Sequence, residues 1–271
     1  ITNAPDWSIS RSRYWGTPLP VWETEDGELF VPGSLADIEK LSGSTIDDLH
    51  RPAIDRVELT LPSGKKAKRV PEVLDVWFES GSMPYAQDHY PYENKEDFDK
   101  HFPTDFIVEY TGQLRGWFYY LHVLSTALKG SIAYKNVSVT GVLMGTDGRK
   151  MSKSYGNYPD PRSTIVKYGA EALRLYFMGS KIMLGEDLDI TEDDIKEQYK
   201  LLNILQNSFK YYQTYATAHN FQPQKNEKIE LTTLDKWIKA RVEESIVQFS
   251  TSLDNFNIPS ATEVIRPLME D

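Results

Sequence analysis

Between residues 103 and 180, the apolar positions change from strand-like to helix-like spacing and back. Phe106 to Val108 is a short apolar run typical of a buried strand, and Asn136 to Leu143 predicts a second strand. Between the two runs, apolar residues recur at helical spacing: Leu114, Phe118, Leu121, Leu124 and Leu128. A strand, a helix and a strand over about 40 residues indicate a βαβ unit, and the two strands of such a unit are parallel.

The chain after Gly185 has the pattern of two long amphipathic helices. Thr191 is a predicted N-cap, because Asp194 follows three positions later in a capping-box arrangement. Two apolar stripes at helical spacing flank a polar linker at 222–230: Ile195, Tyr199, Leu202, Leu205, Phe209 and Tyr212, then Leu234, Ile238, Val242, Ile246, Phe249 and Leu253. Helices of about 20 residues with one apolar face each predict the start of a helical bundle. Because the chain has no initiator Met and its last residues continue a helical pattern, we expect a piece of a longer protein.

A polar stretch with turn signals lies between residues 23 and 70. One run alternates apolar and polar residues and so predicts a strand: Val57, Leu59 and Leu61. Dipeptides typical of turns occur at three places: Asp26–Gly27, Pro32–Gly33 and Ser63–Gly64. We therefore expect residues 23–70 to form a small, mostly β insertion within a larger α/β domain that spans residues 1–184. A helical segment is predicted for residues 185–271.

Composition restricts the kinds of function that fit this chain. The 271 residues include no cysteine, which excludes disulfides, thiolate zinc sites and a cysteine nucleophile and is typical of a reducing compartment such as the cytoplasm. The five histidines have no close metal-ligand spacing, so we expect no metal site in this segment, zinc included. A net charge of −10 argues against a surface that binds nucleic acid throughout, although it leaves room for a local basic cleft. No apolar run approaches the roughly 18 residues that would span a bilayer, so we expect no association with a membrane.

The second predicted strand leads into a loop, Gly148–Asn157, which we call the lysine loop and which contains three cationic residues: Arg149, Lys150 and Lys153. Lysines on a loop can act as point charges against a polyphosphate and stabilise the charge that develops in phosphoryl or nucleotidyl transfer. In open parallel sheets, ligands bind at the carboxyl ends of the strands. The two strand ends here lead into Glu109 to Arg115 and into the lysine loop, so we expect both segments to converge on one site. The alternative is a solvated basic loop, which is what most loops of this composition are.

Several segments together resemble the isoleucyl-tRNA synthetases, a family within the class I aminoacyl-tRNA synthetases. In chain order they are Trp7–Gly16, Asp75–Ala86, Gly112–Phe118 and Lys150–Ser154 with Asn157–Asp160. The sequence Lys-Met-Ser-Lys-Ser of the lysine loop is shared with the valine, leucine and methionine enzymes. The string Trp-Phe-Glu-Ser-Gly-Ser-Met-Pro-Tyr-Ala, which begins at Trp77, is more particular to the isoleucine enzyme, especially its eukaryote-like type.

The resemblance implies a fold and an activity. Residues 1–184 would be the second half of a Rossmann-like parallel sheet with the β insertion, and residues 185–271 the connecting region and first helices of an anticodon-binding domain. The implied reaction is activation of isoleucine by ATP with Mg²⁺ to give isoleucyl-adenylate, then transfer to tRNA(Ile), by a monomeric enzyme. The chain lacks the family's His-x-Gly-His motif and editing domain, so we expect it to be inactive alone. Two alternatives stay open: the core of a valyl-tRNA synthetase, and a non-catalytic synthetase-derived module that binds tRNA or protein.

The same resemblance assigns roles to individual residues. Lys150 and Lys153 match the transition-state phosphate ligands, with Lys153 the stronger candidate. Further ATP contacts match five residues: Gly112, Val142, Leu143, Met144 and Ser152. The amino-acid pocket matches four residues, with ordinary core packing as the alternative for the two tryptophans: Trp77, Glu109, Gln113 and Trp117.

Two further positions carry an open question. Arg11 and Arg13 are candidate contacts for tRNA phosphates, and a structural salt bridge is the equal alternative. Gly112 stands where many relatives have an aspartate, a candidate ligand for the ATP ribose. The resemblance therefore leaves the ribose contact either in doubt or to the backbone.

Overall fold

The computed structural model describes residues 4–145, 147–223 and 230–270. The chain folds as two compact units. The first unit contains the described residues up to Thr104 together with Gln113–Ala133, and the second contains Asp105–Gly112 and the described residues from Tyr134 onward. The predicted boundary between residues 184 and 185 therefore lies inside the second unit, and as a domain boundary it stays a prediction.

Short strands and helices make up the first unit. Its strands are β1 (Ser10–Arg11), β2 (Trp22–Thr24), β3 (Leu29–Phe30), β4 (Glu58–Thr60), β5 (Lys66–Arg69) and β6 (Val73–Leu74). Its helices are α1 (Leu35–Ser42), α2 (Val76–Gly81), α3 (Met83–Ala86), α4 (Lys95–His101) and α5 (Trp117–Lys129). Four of the strands form an antiparallel sheet in the order β3-β2-β5-β4, and β1 pairs antiparallel with β6.

The four-stranded sheet has its own core within the predicted insertion. Trp22 and Leu59 are buried there with Ile38 of α1. The Trp22 indole nitrogen donates to the Val57 carbonyl at 3.0 Å, so its polar atom is paired although the ring is buried. The predicted strand is confirmed, because β4 lies at this place and both Leu59 and Leu61 are buried.

The second unit combines four strands with six helices among its described residues. The strands are β7 (Thr104–Tyr110), β8 (Tyr134–Thr140), β9 (Leu143–Met144) and β10 (Leu188–Asp189). The helices are α6 (Pro161–Tyr168), α7 (Ala170–Met178), α8 (Glu192–Ala218), α9 (Thr233–Asp254), α10 (Ile258–Glu263) and α11 (Ile265–Glu270). Side chains from α6, α7, β10, the start of α8 and the segments between these elements form its core: Tyr168, Ala172, Tyr176, Ile182, Leu188, Ile190 and Ile195.

β7 and β8 pair with each other and run in the same direction. At their beginnings, the Lys135 ammonium lies 2.7 Å from the Asp105 carboxylate. At their other ends, Val139 and Thr111 both lie next to Gly185. β9 pairs with β10, also in parallel. The β7–β8 pair confirms the parallel strands that the sequence predicts for this region, and the β9–β10 pair adds a parallel pair that it does not predict.

The predicted second strand, Asn136 to Leu143, is in fact two strands. The break falls at Gly141, because the Glu186 carbonyl occupies the place where a Cβ at this residue would lie. The backbone can approach so closely because glycine has no side chain. As a consequence the chain changes partners, from β7 along β8 to β10 along β9.

The helix between the two strands begins later than its pattern predicts. Gly116 breaks helical geometry with φ −117° and ψ −122°, and α5 starts at Trp117. Residues Thr111–Arg115 form a 3-10 turn instead, which leaves Leu114 exposed. Leu128 at the other end is exposed as well, so the buried stripe is shorter than predicted: Phe118, Leu121 and Leu124.

The two long C-terminal helices are confirmed, with the predicted start of the first. The Thr191 hydroxyl accepts from the Asp194 amide at 3.2 Å and donates to its carboxylate at 2.6 Å. Thr232 and Asp235 form a capping box at the start of α9. Neither these helices nor any other helix in the described part of the chain has the length and apolarity needed to cross a membrane. Of the predicted linker, residues 224–229 lie outside the described residues.

The apolar stripes of these helices are mostly uncovered. α8 packs on α7, and α9 packs on α10, so the two stripes are not directed at each other along their length. Ile195 is buried, but four members of its stripe are exposed: Tyr199, Leu205, Phe209 and Tyr212. All six members of the α9 stripe are exposed: Leu234, Ile238, Val242, Ile246, Phe249 and Leu253.

We expect the β insertion to depend on its small core for stability. Leu59→Ala should lower the free energy of unfolding by about 2–5 kcal/mol, because it leaves a cavity at a residue that is 0% exposed. Leu29→Ala is the matched control on β3 of the same sheet, where Leu29 is 63% exposed, and should change it by less than about 0.5 kcal/mol. Urea unfolding of the two variants checks this, and equal destabilisation would contradict it.

Candidate active site

The first part of the lysine loop runs along β9. The Gly145 amide donates to the Arg149 carbonyl at 2.7 Å, and the Met151 amide donates to the Leu143 carbonyl at 3.2 Å. These bonds place Lys150 opposite Met144 in an antiparallel bridge. The Met151 side chain packs against the core of the second unit. The first lysine of the loop therefore has a fixed backbone position next to the β9–β10 pair.

The Asn157 side chain joins the two ends of the loop. Its Oδ1 accepts from the Ser152 amide at 3.0 Å, and its Nδ2 donates to Asp147 Oδ1 at 2.9 Å and to the Arg149 carbonyl at 3.3 Å. Gly145 makes room for it, since a Cβ there would lie 2.3 Å from the Asn157 carbonyl oxygen. The loop is thus closed by hydrogen bonds within itself.

One of the three cations of the loop is neutralised inside it. Arg149 makes two bonds to Asp147 Oδ2, from Nε at 2.9 Å and from Nη2 at 2.7 Å, and its guanidinium lies 4.3 Å from the centre of the Tyr155 ring. The hydrogen bond from Asn157, followed by those from Arg149, lowers the pKa of Asp147 to about 2. Asp147 is therefore ionised at neutral pH and remains an acceptor for both partners.

The two lysines of the loop have different surroundings. Lys150 Nζ lies 5.0 Å from the centre of the Tyr110 ring, a cation–π contact with the last residue of β7. Lys153 is exposed, and its side chain makes no hydrogen bond or ion pair with any residue that the structure describes. Both ammonium groups are thus without a carboxylate partner in the described ranges, unlike the Arg149 guanidinium.

The strand end at residues 109–112 confirms part of the predicted convergence, since Tyr110 meets Lys150 there. Glu109 is exposed, and its Oε2 accepts from the Tyr110 amide at 3.0 Å. The Tyr110 ring fills the space beside Gly112, where a Cβ would lie 2.3–2.4 Å from three ring atoms. Gly112 has no side chain and offers a ligand only its backbone, and the Tyr110 ring lies where a side chain at this position would be.

The backbone of Val142 to Met144 is largely used by the fold. The Val142 amide donates to Asp187 Oδ1 at 3.0 Å, and its carbonyl accepts from the Leu188 amide at 2.9 Å. The Leu143 and Met144 carbonyls accept from Met151 and Ile190. These carbonyls can still accept from a bound base, because each oxygen has a second lone pair.

Three of the predicted pocket residues come together in the first unit. The Trp117 indole nitrogen donates to the Ser80 carbonyl of α2 at 3.0 Å, which fixes the ring. The Trp117 amide donates to Gln113 Oε1 at 2.9 Å, so the Gln113 side chain pairs one free amide at the start of α5. Trp77 stacks on Tyr120, with ring centroids 5.7 Å apart. Trp77 and Trp117 are both half-buried.

Arg11 forms the structural salt bridge that was the alternative to a tRNA contact. Its Nη2 lies 3.1 Å from Asp75 Oδ1, and the Asp75 side chain is 3% exposed. The other Asp75 oxygen accepts from the Trp7 indole nitrogen at 2.8 Å. Removing either donor would leave a buried carboxylate short of a partner, which is costly. Arg13 is exposed, and its carbonyl accepts from Arg51 Nη1 at 3.2 Å.

The importance of Asp75 is not evident from the sequence pattern, although the residue begins one of the matched segments. Beside its ion pair lies a cavity of about 840 Å³ whose lining includes aromatic and cationic side chains: Trp7, Arg11, Arg115, Tyr119 and Tyr120. The described residues contain no group of His, Cys, Asp or Glu that could hold a metal ion.

Comparison with known proteins gives consistent results. A family model described as class I tRNA synthetases (I, L, M and V) matches residues 1–190. The isoleucine–tRNA ligase of Chlamydia trachomatis serovar D is 43% identical over 272 residues, and that of Nocardia farcinica is 46% identical over 274 residues. These matches cover 100% and 98% of this chain but 26% of each relative, so the chain spans about a quarter of the length of the curated relatives it matches.

A solved structure shares the fold. The crystal structure of the ternary complex of Agrobacterium radiobacter K84 agnB2 LeuRS, tRNA and LeuAMS matches with a TM-score of 0.70 at 20% identity, over 98% of this chain and 35% of that chain. The predicted α/β fold followed by a helical segment is thereby confirmed. Because the family model covers more than half of the sequence, this chain belongs to the class I tRNA synthetases of the isoleucine, leucine, methionine and valine group.

Proposed function

We propose that this chain is part of an isoleucine–tRNA ligase, which uses ATP to activate isoleucine and transfers it to tRNA(Ile). The observation that supports this most is the lysine loop, in which Lys150 and Lys153 have no carboxylate partner among the described residues while Arg149 is neutralised. The relatives that match along nearly the whole chain are named isoleucine–tRNA ligases, which favours isoleucine over valine. We also propose that the enzyme is cytoplasmic and monomeric.

In this reaction the isoleucine carboxylate forms a bond to the α-phosphorus of ATP, and pyrophosphate leaves. Negative charge grows on the leaving pyrophosphate, and the two lysine ammonium groups stabilise it without changing their own covalent state. Lys153 is the stronger candidate, because its exposed side chain is free to reach a triphosphate. Lys150 first has to leave the Tyr110 ring or to act from that position. Mg²⁺ is proposed to enter as its complex with ATP.

The remaining ATP contacts lie on the same unit as the lysine loop. The backbone of Gly112 and of Val142 to Met144 is proposed to hold the nucleoside, and Ser152 the phosphates. At Gly112 the contact falls to the backbone, since glycine has no side chain. Ser152 is held in place by the hydrogen bond that its backbone amide donates to Asn157 Oδ1.

The amino-acid contacts are proposed at Trp77, Gln113 and Trp117 of the first unit, and Glu109 is proposed as a further contact. The two half-buried indoles offer rigid flat surfaces to a branched alkyl side chain. The hydrogen bond from Trp117 to Ser80 sets the plane of one of them.

The tRNA contact is proposed at Arg11 and Arg13. Arg13 is exposed, and Arg11 lines the cavity beside Asp75. Aromatic faces and guanidinium groups together suit a nucleotide, since bases stack on the former and phosphates pair with the latter. Arg11 keeps its ion pair with Asp75 in this arrangement and contacts a phosphate with its remaining donors.

The isolated 271-residue chain should not form aminoacyl-adenylate. None of its five histidines belongs to a His-x-Gly-His motif, so the lysine loop has no opposing group against which to hold a triphosphate. Isoleucine-dependent exchange of pyrophosphate into ATP measures this, with the full-length ligase as the positive control. Exchange by the purified chain above background would contradict the prediction.

In the full-length ligase, Lys153→Ala should slow adenylate formation by about 10²-fold or more while changing isoleucine binding little, because the charge acts mainly in the transition state. Single-turnover kinetics at varied isoleucine concentration give both quantities. Lys196→Ala, which removes an exposed lysine from α8, is the matched control and should leave both unchanged. A normal single-turnover rate would remove Lys153 from the mechanism.

Trp117→Ala should weaken the discrimination between isoleucine and valine by about 1–2 kcal/mol, the value of one methylene group in such a pocket. Trp237→Ala on α9 removes a tryptophan outside the proposed pocket and should leave the ratio of the two kcat/KM values as in the wild type. An unchanged ratio in the Trp117 variant, with a lower Tm, would assign Trp117 to packing alone.

A further inference from the structure

The Asn157 side chain makes contacts on both sides of Lys150, and one of these contacts is next to Lys153. Its bond to Asp147 lies before Lys150 in the chain, and its bond to the Ser152 amide lies immediately before Lys153. Nδ2 also lies 3.4 Å from the Lys150 carbonyl. One side chain thus connects the start of the loop with the backbone next to both lysines.

The loop needs such a connection because its own backbone is free to move at two places. Gly148 and Gly156 adopt φ of 71° and 59°, and nothing lies within 4 Å of where their Cβ atoms would be. Glycine at such positions has more accessible conformations than any other residue, so ordering it costs more entropy. The bonds of Asn157 to the segment between the two glycines offset part of that cost.

A second feature of the sequence fits the same arrangement. A Cβ at residue 145 would lie 2.3 Å from the Asn157 carbonyl oxygen and 2.5 Å from its Nδ2. Glycine at 145 is therefore required for Asn157 to reach the start of the loop. The amide of this glycine also donates to the Arg149 carbonyl, so residues 145 and 157 close the loop from both sides.

We propose that Asn157 is a positioning residue: through Asp147 and the Ser152 amide it holds the lysine loop in the shape from which Lys153 engages the triphosphate. The proposal rests on the proposed function, since the reaction it serves is adenylate formation. Asn157 does not touch the substrate in this role. Loss of the Asn157 side chain leaves both lysine charges in place, but the lysine loop then samples a wider range of conformations. A smaller share of these conformations is productive.

The test uses the full-length ligase and its Asn157→Ala variant. We expect kcat for adenylate formation to fall at least tenfold, with KM for isoleucine within twofold of the wild type. Hydrogen exchange at the Ser152 amide should become faster in the same variant, because its acceptor is gone. Asn136→Ala is the matched control: it removes a side-chain amide that donates to the Asp105 carbonyl at 2.9 Å in the same unit, and should change neither readout.

Two further variants separate the hydrogen bonds from the shape of the side chain. Asn157→Asp keeps the shape but places a carboxylate 2.9 Å from Asp147, so it should be at least as slow as Asn157→Ala. Adding Asp147→Asn restores a donor between the two positions and should recover part of the lost rate. Gly145→Ala, which pushes against Asn157 without altering it, should slow the reaction in the same way.

The outcomes distinguish this proposal from the proposed function. If the wild-type ligase shows no isoleucine-dependent exchange of pyrophosphate into ATP, the proposed function is wrong. The rate of hydrogen exchange at the Ser152 amide still tests the role of Asn157 in that case. If the wild type is active and Asn157→Ala matches it in kcat and in Ser152 exchange, the positioning role is wrong. Failure of Asp147→Asn to improve the Asn157→Asp variant would also overturn it.

Discussion

The lysine loop depends on β9, a strand of two residues that is paired on both sides. On one side β10 pairs with it in parallel, and on the other side residues 149–151 return along it. The carbonyls of Leu143 and Met144 are used by partners from opposite directions. β10 and Met151 in turn contact the buried core of the second unit, so the position of the loop is set by packing well away from the lysines.

Charge is distributed in this region so that few cations are left uncompensated. The chain as a whole has a net charge of −10, which would repel a polyphosphate at long range. Asp147 neutralises Arg149, whereas the Lys150 charge meets an aromatic face, which attracts a cation without neutralising it. The attraction that this loop can exert on an anion is therefore local, and it depends on where two side chains lie rather than on the charge of the surface.

Much of the fold follows from local patterns in the sequence, because caps, strand alternation and helical stripes depend on residues close in the chain. The Thr191 cap and the β4 strand are examples. What the pattern did not reveal comes from contacts between distant residues. The Glu186 carbonyl breaks the strand at Gly141. The buried Asp75 carboxylate that pairs with Arg11 lies more than sixty residues after it in the chain. The candidate site shows the same division: the lysines stand in a recognisable motif, but the structure was needed to show the bonds that hold Asn157 against them.

The contact between Tyr110 and Gly112 links two features that look independent in the sequence. A side chain at 112 would overlap the Tyr110 ring, and that ring also lies under the Lys150 ammonium. An aspartate at 112 therefore requires the Tyr110 ring to move or to be replaced by a smaller side chain. Either change removes the aromatic face that the Lys150 ammonium contacts. The Tyr110 ring therefore couples the two positions, since a side chain added at 112 acts on the surroundings of Lys150 by moving this ring.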